Sequence, residues 1–353
     1  MTIGGEHIFS PLIYFRKNKN QFNEMLKSLK NDFSVNLTLG GYHSLLAIID
    51  DLVIKHDKTI EVLLPSYLCN TILIPFKQKK IKYNFYKLNK DLEIDYLSIK
   101  EKLNSNVKAI LFIDYFGVNN LNLENDIIKE IKNNNIKIIQ DRVQCLNFNE
   151  NFYGDYIFNS FRKFFPFEGS ILLTKKPIEI VYSECNNNKF IKFKRKGQIL
   201  RYFHLKFKII KSELFLKKFK KAEENYYDGN IYKMSQVNIK MINKYDIREM
   251  IFIQKQKFKD LSNNFEKFIP MFLKKETICP LGFIMILENR DFIRKKLFEN
   301  KIYAPIHWIA SEELNTNDFK ESIELSEKII TIPISNITIK QFKYLKETLK
   351  KIL

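Results

Sequence analysis

Several side chains in this sequence have a type and a position suited to catalysis or binding, and Lys163 is the most informative of them. It closes the segment Ser-Phe-Arg-Lys (160–163), which follows a short apolar run. The like charge of Arg162 and burial near a sheet edge would lower the pKa of the Lys163 amine. A neutral amine is the form that makes a Schiff base with a carbonyl carbon, and the Ser160 hydroxyl could bind a phosphate. A solvated surface lysine is the ordinary alternative in a chain this rich in lysine.

Asp141 ends the apolar run Ile-Lys-Ile-Ile-Gln-Asp (136–141), and Gln144 follows three residues later. A carboxylate at the end of a buried strand is partly desolvated and needs a cationic partner. A protonated ring nitrogen would supply that charge. The alternative is that Asp141 caps the helix that follows, and the residues alone do not decide between the two.

Two further segments are candidates for binding. Gly40 and Gly41 precede a helical pattern, and the free N–H groups at the start of a helix can hold a phosphate; a plain helix cap is the alternative. His307 and Trp308, the only tryptophan, end the segment Ile-Tyr-Ala-Pro-Ile-His-Trp (302–308). Such a pair can line a substrate cleft, although a packed Trp and a satisfied His would look the same.

Residues 34–176 show short apolar strands alternating with helices, and most of these candidate side chains lie at the ends of those elements. Strands are predicted at 61–65, 82–88, 109–117, 136–141, 156–161 and 170–175. This alternation predicts an α/β fold with a mainly parallel sheet covered by helices on both faces. Helices are also expected at 12–31, 202–221 and 236–263. We expect a large domain at 1–235 and a small α+β domain at 236–353, the latter with strands near 282–288, 304–308 and 329–334.

The order of the candidate sites is more specific than any one of them. A glycine turn at 40–41, an aspartate at 141 and a Ser-x-x-Lys at 160–163 follow one another along the chain. This order is typical of fold-type I enzymes that use pyridoxal 5'-phosphate. There the aspartate keeps the pyridine nitrogen protonated, and the lysine forms the Schiff base and then moves protons.

The chain also resembles the sugar aminotransferases of the DegT/DnrJ/EryC1/StrS type, as a divergent branch, over roughly 34–180 and 232–350. The segments that carry the resemblance are LGGYHSLLAI, VLLPSYLCNTILIPF, IIQDRVQCL, GDYIFNSFRKFFPFEGSILLT, IYAPIHW and LSEKIITIPI. The resemblance implies a homodimer with active sites at the subunit interface. It also implies glutamate as the usual amino donor and a nucleotide-linked keto sugar as the acceptor.

Carried over position by position, the resemblance assigns the cofactor contacts. Lys163 would be the Schiff-base lysine, Asp141 the partner of the pyridinium, and Gln144 a contact to the ring or its hydroxyl. Phosphate would be held by backbone groups and a hydroxyl, at Gly41, Tyr42 and Ser160. Lys163 follows Ser160 by three residues where the family has five.

Other positions depart from the family pattern. Tyr42 stands where a small Thr is usual, and Asp114 stands where a His opens the His-x-x-Gly motif. Cys69 aligns best with the residue that stacks on the ring, whereas Tyr67 is the nearer aromatic side chain and could contact substrate. Asn230 is one position away from the asparagine that binds the phosphate of the partner subunit's cofactor.

The net charge is concentrated in one segment. Lys plus Arg number 59 and Asp plus Glu 40, which gives +19, and 189–221 holds 13 of the basic residues against one acid, Glu213. This segment could hold the diphosphate of a sugar nucleotide or touch a membrane surface. Because the charge is local, we do not expect a nucleic-acid-binding protein, and an AT-rich coding sequence can also enrich lysine.

Composition limits the remaining function classes. With 45% hydrophobic and 28% charged residues the chain can form a large core, which excludes global disorder. No signal peptide or membrane-spanning run is visible, and the four cysteines show no metal spacing, so we expect no metal site and a reducing cytoplasm.

The leading hypothesis is therefore an aminotransferase acting on a keto sugar for surface polysaccharide. Alternatives are an aminotransferase for a small phosphorylated ketone, and a sugar dehydratase, which typically has His where Lys163 stands. A basic membrane- or nucleic-acid-binding protein on a retired scaffold is the non-enzyme alternative.

Overall fold

The computed structural model describes residues 2–56, 59–119, 121–148, 152–184, 188–274 and 280–353. Its strands are β1 (Ile3–Gly4), β2 (Ser34–Thr38), β3 (Glu61–Pro65), β4 (Lys82–Tyr86), β5 (Val107–Ile113), β6 (Lys137–Asp141), β7 (Tyr156–Phe158), β8 (Ser170–Thr174), β9 (Phe283–Ile286), β10 (Ile302–Tyr303) and β11 (Ile329–Ile332). Its α-helices are α1 (Gln21–Leu29), α2 (Gly41–His56), α3 (Leu73–Lys79), α4 (Tyr96–Lys102), α5 (Asp126–Asn133), α6 (Lys189–Phe207), α7 (Ser212–Glu223), α8 (Gln236–Ile242), α9 (Ile247–Phe265), α10 (Arg290–Glu299), α11 (Lys320–Lys328) and α12 (Ile339–Ile352).

Seven strands form the central sheet, in the order β2-β8-β7-β6-β5-β3-β4. The pairs from β4 to β7 are parallel, and β8 is antiparallel to both β7 and β2. Strands such as β3 and β8 are buried along their whole length, as expected when helices cover both faces of a sheet. The predicted α/β fold with a mainly parallel sheet is confirmed.

Because β5, β6 and β7 are parallel, their carboxyl ends meet at one edge of the sheet. Asp114 directly follows β5, Asp141 is the last residue of β6, and Ser160 lies two residues after β7. Helix α2 begins at Gly41, close to this edge, since a Cβ at Gly41 would lie 3.4 Å from the backbone oxygen of Asn159. Topology thus brings side chains far apart in sequence to one place.

The C-terminal part contains two small sheets. Strands β9 and β11 pair antiparallel, and β10 pairs in parallel with the N-terminal β1. Residues 304–308, predicted as a strand, lie after β10 and outside any strand. The pairing of β1 with β10 joins the start of the chain to the C-terminal part, while the division at residues 235 and 236 stays a prediction.

Three predicted helices are shorter than expected. The stretch 12–31 contains a 3₁₀ turn, Pro11–Phe15, and then α1. The stretch 202–221 breaks at Lys208, whose φ of 57° ends α6. The stretch 236–263 divides into α8 and α9, because the Asp246 side chain caps a new helix by accepting from the Glu249 N–H. Local capping thus overrode apolar periodicity.

Among the described residues, none of the helices combines the length and the apolar composition that a bilayer span requires. Cys69 and Cys145 are free thiols, and the other two cysteines, Cys185 and Cys279, lie outside the described residues.

Candidate active site

A cleft at the carboxyl edge of the central sheet encloses about 740 Å³ of empty space, including its open mouth. Eight of the residues singled out from the sequence line it: Gly41, Tyr42, Cys69, Asp141, Gln144, Ser160, Lys163 and Trp308. The other three, Tyr67, Asn230 and His307, are not among the residues that line this cleft. The fold therefore gathers most of the candidate chemistry in one cavity of the size that binds small molecules.

Lys163 ends a short 3₁₀ turn, Phe161–Lys163, just after β7. The Phe161 N–H donates to the Gly169 carbonyl at 2.8 Å, and the Lys163 carbonyl accepts from His7 Nε2 at 2.8 Å, so both ends of the turn are held. Burial, and then the charge of Arg162, lower the pKa of the Lys163 amine. An amine with a lowered pKa is more readily deprotonated and can act as a nucleophile or carry a proton.

Asp141 presents its carboxylate to the cleft from the end of β6. One carboxylate oxygen accepts from the Val143 N–H at 2.8 Å, and the Asp141 carbonyl accepts from the Asp114 N–H at 3.0 Å. Burial raises the pKa of Asp141 to about 7, and the Asp114 charge adds to this. A buried carboxyl with so high a pKa has too little positive charge around it, and a bound cation would correct that.

Gln144 has an unused donor at the same cleft. Its Oε1 accepts from the Phe116 N–H at 2.7 Å, which fixes the amide. Its Nε2 is buried and has no hydrogen-bond partner among the described residues. A buried N–H group without an acceptor is costly, so this site fits a ligand with an oxygen acceptor there.

The start of α2 adds backbone N–H groups to the side chains described above. The first N–H groups of a helix have no acceptor within it, and Gly41 and Tyr42, the first two residues of α2, line the cleft. A side chain at Gly40 would overlap the hydroxyl of Tyr226, so this glycine admits the tyrosine. The Tyr42 hydroxyl donates to Gln78 Oε1 at 2.5 Å and accepts from the Gly229 N–H at 3.0 Å. Ser160, also buried, lines the cleft beside them.

Arg162, Tyr226 and Tyr227 are among the residues that line the cleft although sequence reasoning gave them no binding role. The two tyrosine rings contact each other at 4.9 Å between centroids, and Tyr42 lies 5.0 Å from Tyr227. The Arg162 guanidinium lies 5.2 Å from the Tyr226 ring and 3.5 Å from the Glu223 carboxylate. No spacing in the sequence connects 226–227 to the cleft, since α6 and α7 lie between them and β8.

A second cavity, of about 1510 Å³, also borders Lys163 and is lined in part by the N-terminal segment. His307 lines it, and its Nδ1 lies 2.9 Å from Thr331 Oγ1. Burial, with the Lys163 charge, lowers the pKa of His307 to about 3, so the imidazole is neutral at physiological pH. His307 therefore lies near Lys163 and lines this larger cavity.

Tyr67 lies behind the cleft and holds Trp308. The backbone N–H of Trp308 donates to the Tyr67 hydroxyl at 2.7 Å, and the hydroxyl donates in turn to the His307 carbonyl. The ring centroids of Tyr67 and Trp308 are 5.7 Å apart. Tyr67 thus acts on the cleft through Trp308.

Asn230 is exposed, and its side chain accepts from the Ser183 hydroxyl at 3.2 Å. Its backbone carbonyl accepts from His43 Nδ1 at 2.9 Å. Its expected contact is with the partner subunit's cofactor, which stays a prediction.

Asp114, at the position where the family pattern has His, belongs to a buried polar cluster beneath the cleft. Its carboxylate pairs with Arg142 Nε at 3.1 Å and accepts from Tyr153 at 2.8 Å and from Gln140 at 2.9 Å. Asp114 and Arg142 are both fully buried. Asp114 is therefore paired with a cation, Arg142, that neutralises its charge.

Comparisons with known proteins agree with this architecture. No family model matches the chain, and no curated protein matches its sequence. Among solved structures it is similar to a DegT DnrJ EryC1 StrS aminotransferase from Brucella abortus, with 14% identity, a TM-score of 0.64 and coverage of 98% of this chain and 91% of the other.

Two further structures match over nearly their whole length. PseC from Helicobacter pylori, an aminotransferase involved in pseudoaminic acid biosynthesis, has 12% identity and a TM-score of 0.66, covering 100% of this chain and 99% of the other. The E. coli GDP-4-keto-6-deoxy-D-mannose-3-dehydratase has 15% identity and a TM-score of 0.65, covering 99% and 100%. These similarities confirm the expected fold, that of the sugar aminotransferases.

Proposed function

We propose that this protein is a pyridoxal-phosphate-dependent aminotransferase that transfers an amino group to a keto sugar. The observation that carries the proposal is the meeting of Lys163, with its lowered amine pKa, and the buried Asp141 in one cleft. The unpartnered Nε2 of Gln144 in the same cleft supports a ligand with a ring oxygen. The fold, shared with sugar aminotransferases, is consistent with this chemistry.

Each of these residues would have a defined task. Pyridoxal phosphate, when bound, supplies the electron sink that makes amino-group transfer possible. Asp141 would pair with the protonated ring nitrogen, and Gln144 would donate to the ring oxygen. The N–H groups of Gly41 and Tyr42 and the Ser160 hydroxyl would hold the phosphate. Lys163 would bind the cofactor and, once its amine is free, carry the proton from the donor's carbon to the cofactor.

Cys69 is the residue of the expected stacking position that lines the cleft. We propose that it packs on one face of the ring, with Val143, also in the lining, available for the other. Trp308, held by Tyr67, would border the substrate.

For the substrates, we propose glutamate as the amino donor and a nucleotide-linked keto sugar as the acceptor. The reaction would take place in the cytoplasm and serve the biosynthesis of surface polysaccharide. The E. coli dehydratase of the same fold is named for GDP-4-keto-6-deoxy-D-mannose, a nucleotide-linked keto sugar, which supports such an acceptor. The larger cavity beside Lys163 has room for such a substrate, and Arg16 and Arg162 line it as cations suited to phosphate. A homodimer would bring Asn230 to the partner's site.

Reconstitution with pyridoxal phosphate tests the proposal. We expect a visible absorption band that bleaches when glutamate is added and returns on addition of a keto-sugar nucleotide. Lys163→Ala should abolish the band, whereas Lys90→Ala, at an exposed site, should leave it intact. A band that is absent from the wild-type protein, or unchanged in Lys163→Ala, contradicts the proposal.

The acceptor decides between the remaining possibilities. If a small phosphorylated ketone restores the band and keto-sugar nucleotides do not, the phosphorylated-ketone alternative is right. The similarity to a dehydratase structure keeps that reaction as a second candidate. It would consume the sugar with loss of water and without net transfer of nitrogen, which mass spectrometry of the product distinguishes.

A further inference from the structure

Helices α6 and α7 form a hairpin, residues 189–223, whose base is fixed to the body of the protein. The buried Lys194 pairs with Glu6 at 2.8 Å and with Glu223 at 3.5 Å. Phe190 packs on Tyr226 with ring centroids 4.6 Å apart, and Gln198 donates to the Pro166 carbonyl. These contacts lie in the first half of α6 and at the end of α7.

The two helices pack closely on each other further out. Gly197 allows this, because a Cβ there would lie 2.7 Å from the Phe219 ring. Phe215 is buried between the helices and contacts the His204 ring at 5.2 Å. The hairpin therefore has a small core of its own.

The outer end of the hairpin, residues 199–217, exposes an unusual amount of apolar surface. Ile209, in the turn between the helices, is 74% exposed, and Phe207, the last residue of α6, is 50% exposed. Seven large apolar side chains are exposed here: Ile199, Phe203, Leu205, Phe207, Ile209, Leu214 and Leu216. Exposed apolar side chains grouped in this way mark an interaction surface.

Basic residues surround this apolar end. Lys206, Lys208, Lys211 and Lys217 are all exposed, and Glu213 is the one acid between 189 and 221. The surface thus requires a partner that offers negative charge beside an apolar phase. A symmetric contact between two hairpins is disfavoured, because two surfaces of the same positive charge would repel each other.

We propose that the outer end of this hairpin docks the protein on the surface of an anionic lipid bilayer. The apolar side chains would enter the boundary between headgroups and acyl chains, while the lysines contact lipid phosphates. Nucleic acid fits less well, because aliphatic side chains such as Ile209 and Leu214 gain nothing from contact with a phosphate backbone. The arrangement is that of a surface-bound protein and not of a spanning one.

Vesicle flotation of the full-length protein tests this inference. We expect the protein to float with vesicles of phosphatidylcholine containing about one third phosphatidylglycerol, and not with phosphatidylcholine alone. Binding should weaken as salt is raised. The variant Lys206→Gln/Lys208→Gln/Lys211→Gln should bind roughly a hundredfold more weakly, since each lysine near an anionic surface contributes about 1 kcal/mol. The variant Leu205→Ser/Phe207→Ser/Ile209→Ser should also lose binding.

Control variants remove side chains of the same two types, exposed lysines and exposed apolar residues, outside the hairpin. Lys90→Gln/Lys295→Gln/Lys340→Gln removes three exposed lysines, and Ile54→Ser/Ile339→Ser removes exposed apolar side chains outside the hairpin. Both should float like the wild type, and the visible cofactor band or the circular dichroism spectrum should be equal in all variants.

Three results would overturn the inference. One is an absence of flotation with anionic vesicles, or equal flotation of hairpin and control variants. Another is binding to a labelled single-stranded oligonucleotide that survives the Leu205→Ser/Phe207→Ser/Ile209→Ser change and prevents flotation, which would make the hairpin a nucleic-acid surface. The third is a change in the solution mass of the protein in that variant, which would make it a contact between copies.

Discussion

Asp141 should make the cofactor-free protein less stable as pH rises. Burial raises the pKa of its carboxyl to about 7 in the folded protein, against 3.8 for an unperturbed aspartate. Between these values the folded protein holds a proton that the unfolded chain has released. Stability from this group is therefore complete below about pH 4 and is lost as the pH rises through 7. The full loss is about 4 kcal/mol.

Urea unfolding of the cofactor-free wild type and Asp141→Asn, at one protein concentration, measures this effect. Asn keeps an acceptor for the Val143 N–H but carries no charge to desolvate. Other buried groups titrate too: burial raises the pKa of Glu168 and lowers that of His43 to about 4. Only the difference between the two proteins isolates Asp141. The difference in free energy of unfolding between them should shift in favour of the variant by about 3 kcal/mol between pH 5 and pH 9.

The exposed Asp126 provides the control, since Asp126→Asn should leave the wild-type pH profile unchanged. Pyridoxal phosphate should reduce the pH dependence of the wild type, because a protonated ring nitrogen restores the missing positive charge. Parallel profiles for the wild type and Asp141→Asn would refute the reasoning about burial. A pH dependence unaffected by cofactor would refute the pairing of Asp141 with the ring.

Further perturbations probe the surroundings of the site. Asp114→Asn should cost about 3–5 kcal/mol in urea unfolding because it removes the carboxylate that neutralises the buried Arg142, and adding Arg142→Met should recover much of that loss. Tyr67→Phe removes the acceptor of the Trp308 N–H, so steady-state kinetics should show the KM for the acceptor raised about five- to tenfold, with the cofactor band unchanged. Gly154→Ala places a Cβ 2.7 Å from a backbone carbonyl oxygen and should lower the thermal midpoint, at a cost of about 1–3 kcal/mol.

Much of the architecture could be predicted from the sequence. Apolar runs such as 61–65 are buried over their whole length, and the alternation of such runs with helical patterns implies parallel strands, as found from β3 to β7. The run 170–175 is equally buried, but β8 is antiparallel to both of its neighbours. Because parallel strands end at the same edge, the positions of Asp141 and Lys163 after two such runs already suggested one site. For this prediction, the type of each residue and its position at the end of a strand were sufficient.

Helix limits were less predictable. Apolar periodicity continued across Lys208 and Asp246, whereas a left-handed backbone conformation and a side-chain cap end and begin helices at those positions. Both effects depend on single residues and on what lies against them, which a periodic pattern does not contain.

Contacts between distant segments came only from the tertiary structure. The tyrosines at 226 and 227 line the cleft because the hairpin returns the chain to α2, and Gly40 leaves space for one of their hydroxyls. The pairing of Asp114 with Arg142 similarly joins the ends of two strands. The sequence by itself determined six of the seven strands of the central sheet, all except β2, and the chemistry that stands at their ends, since those follow from local pattern. Tertiary packing decided which donors are left unpaired in the cleft and which pKa values burial shifts, because both depend on neighbours that the chain brings together only on folding.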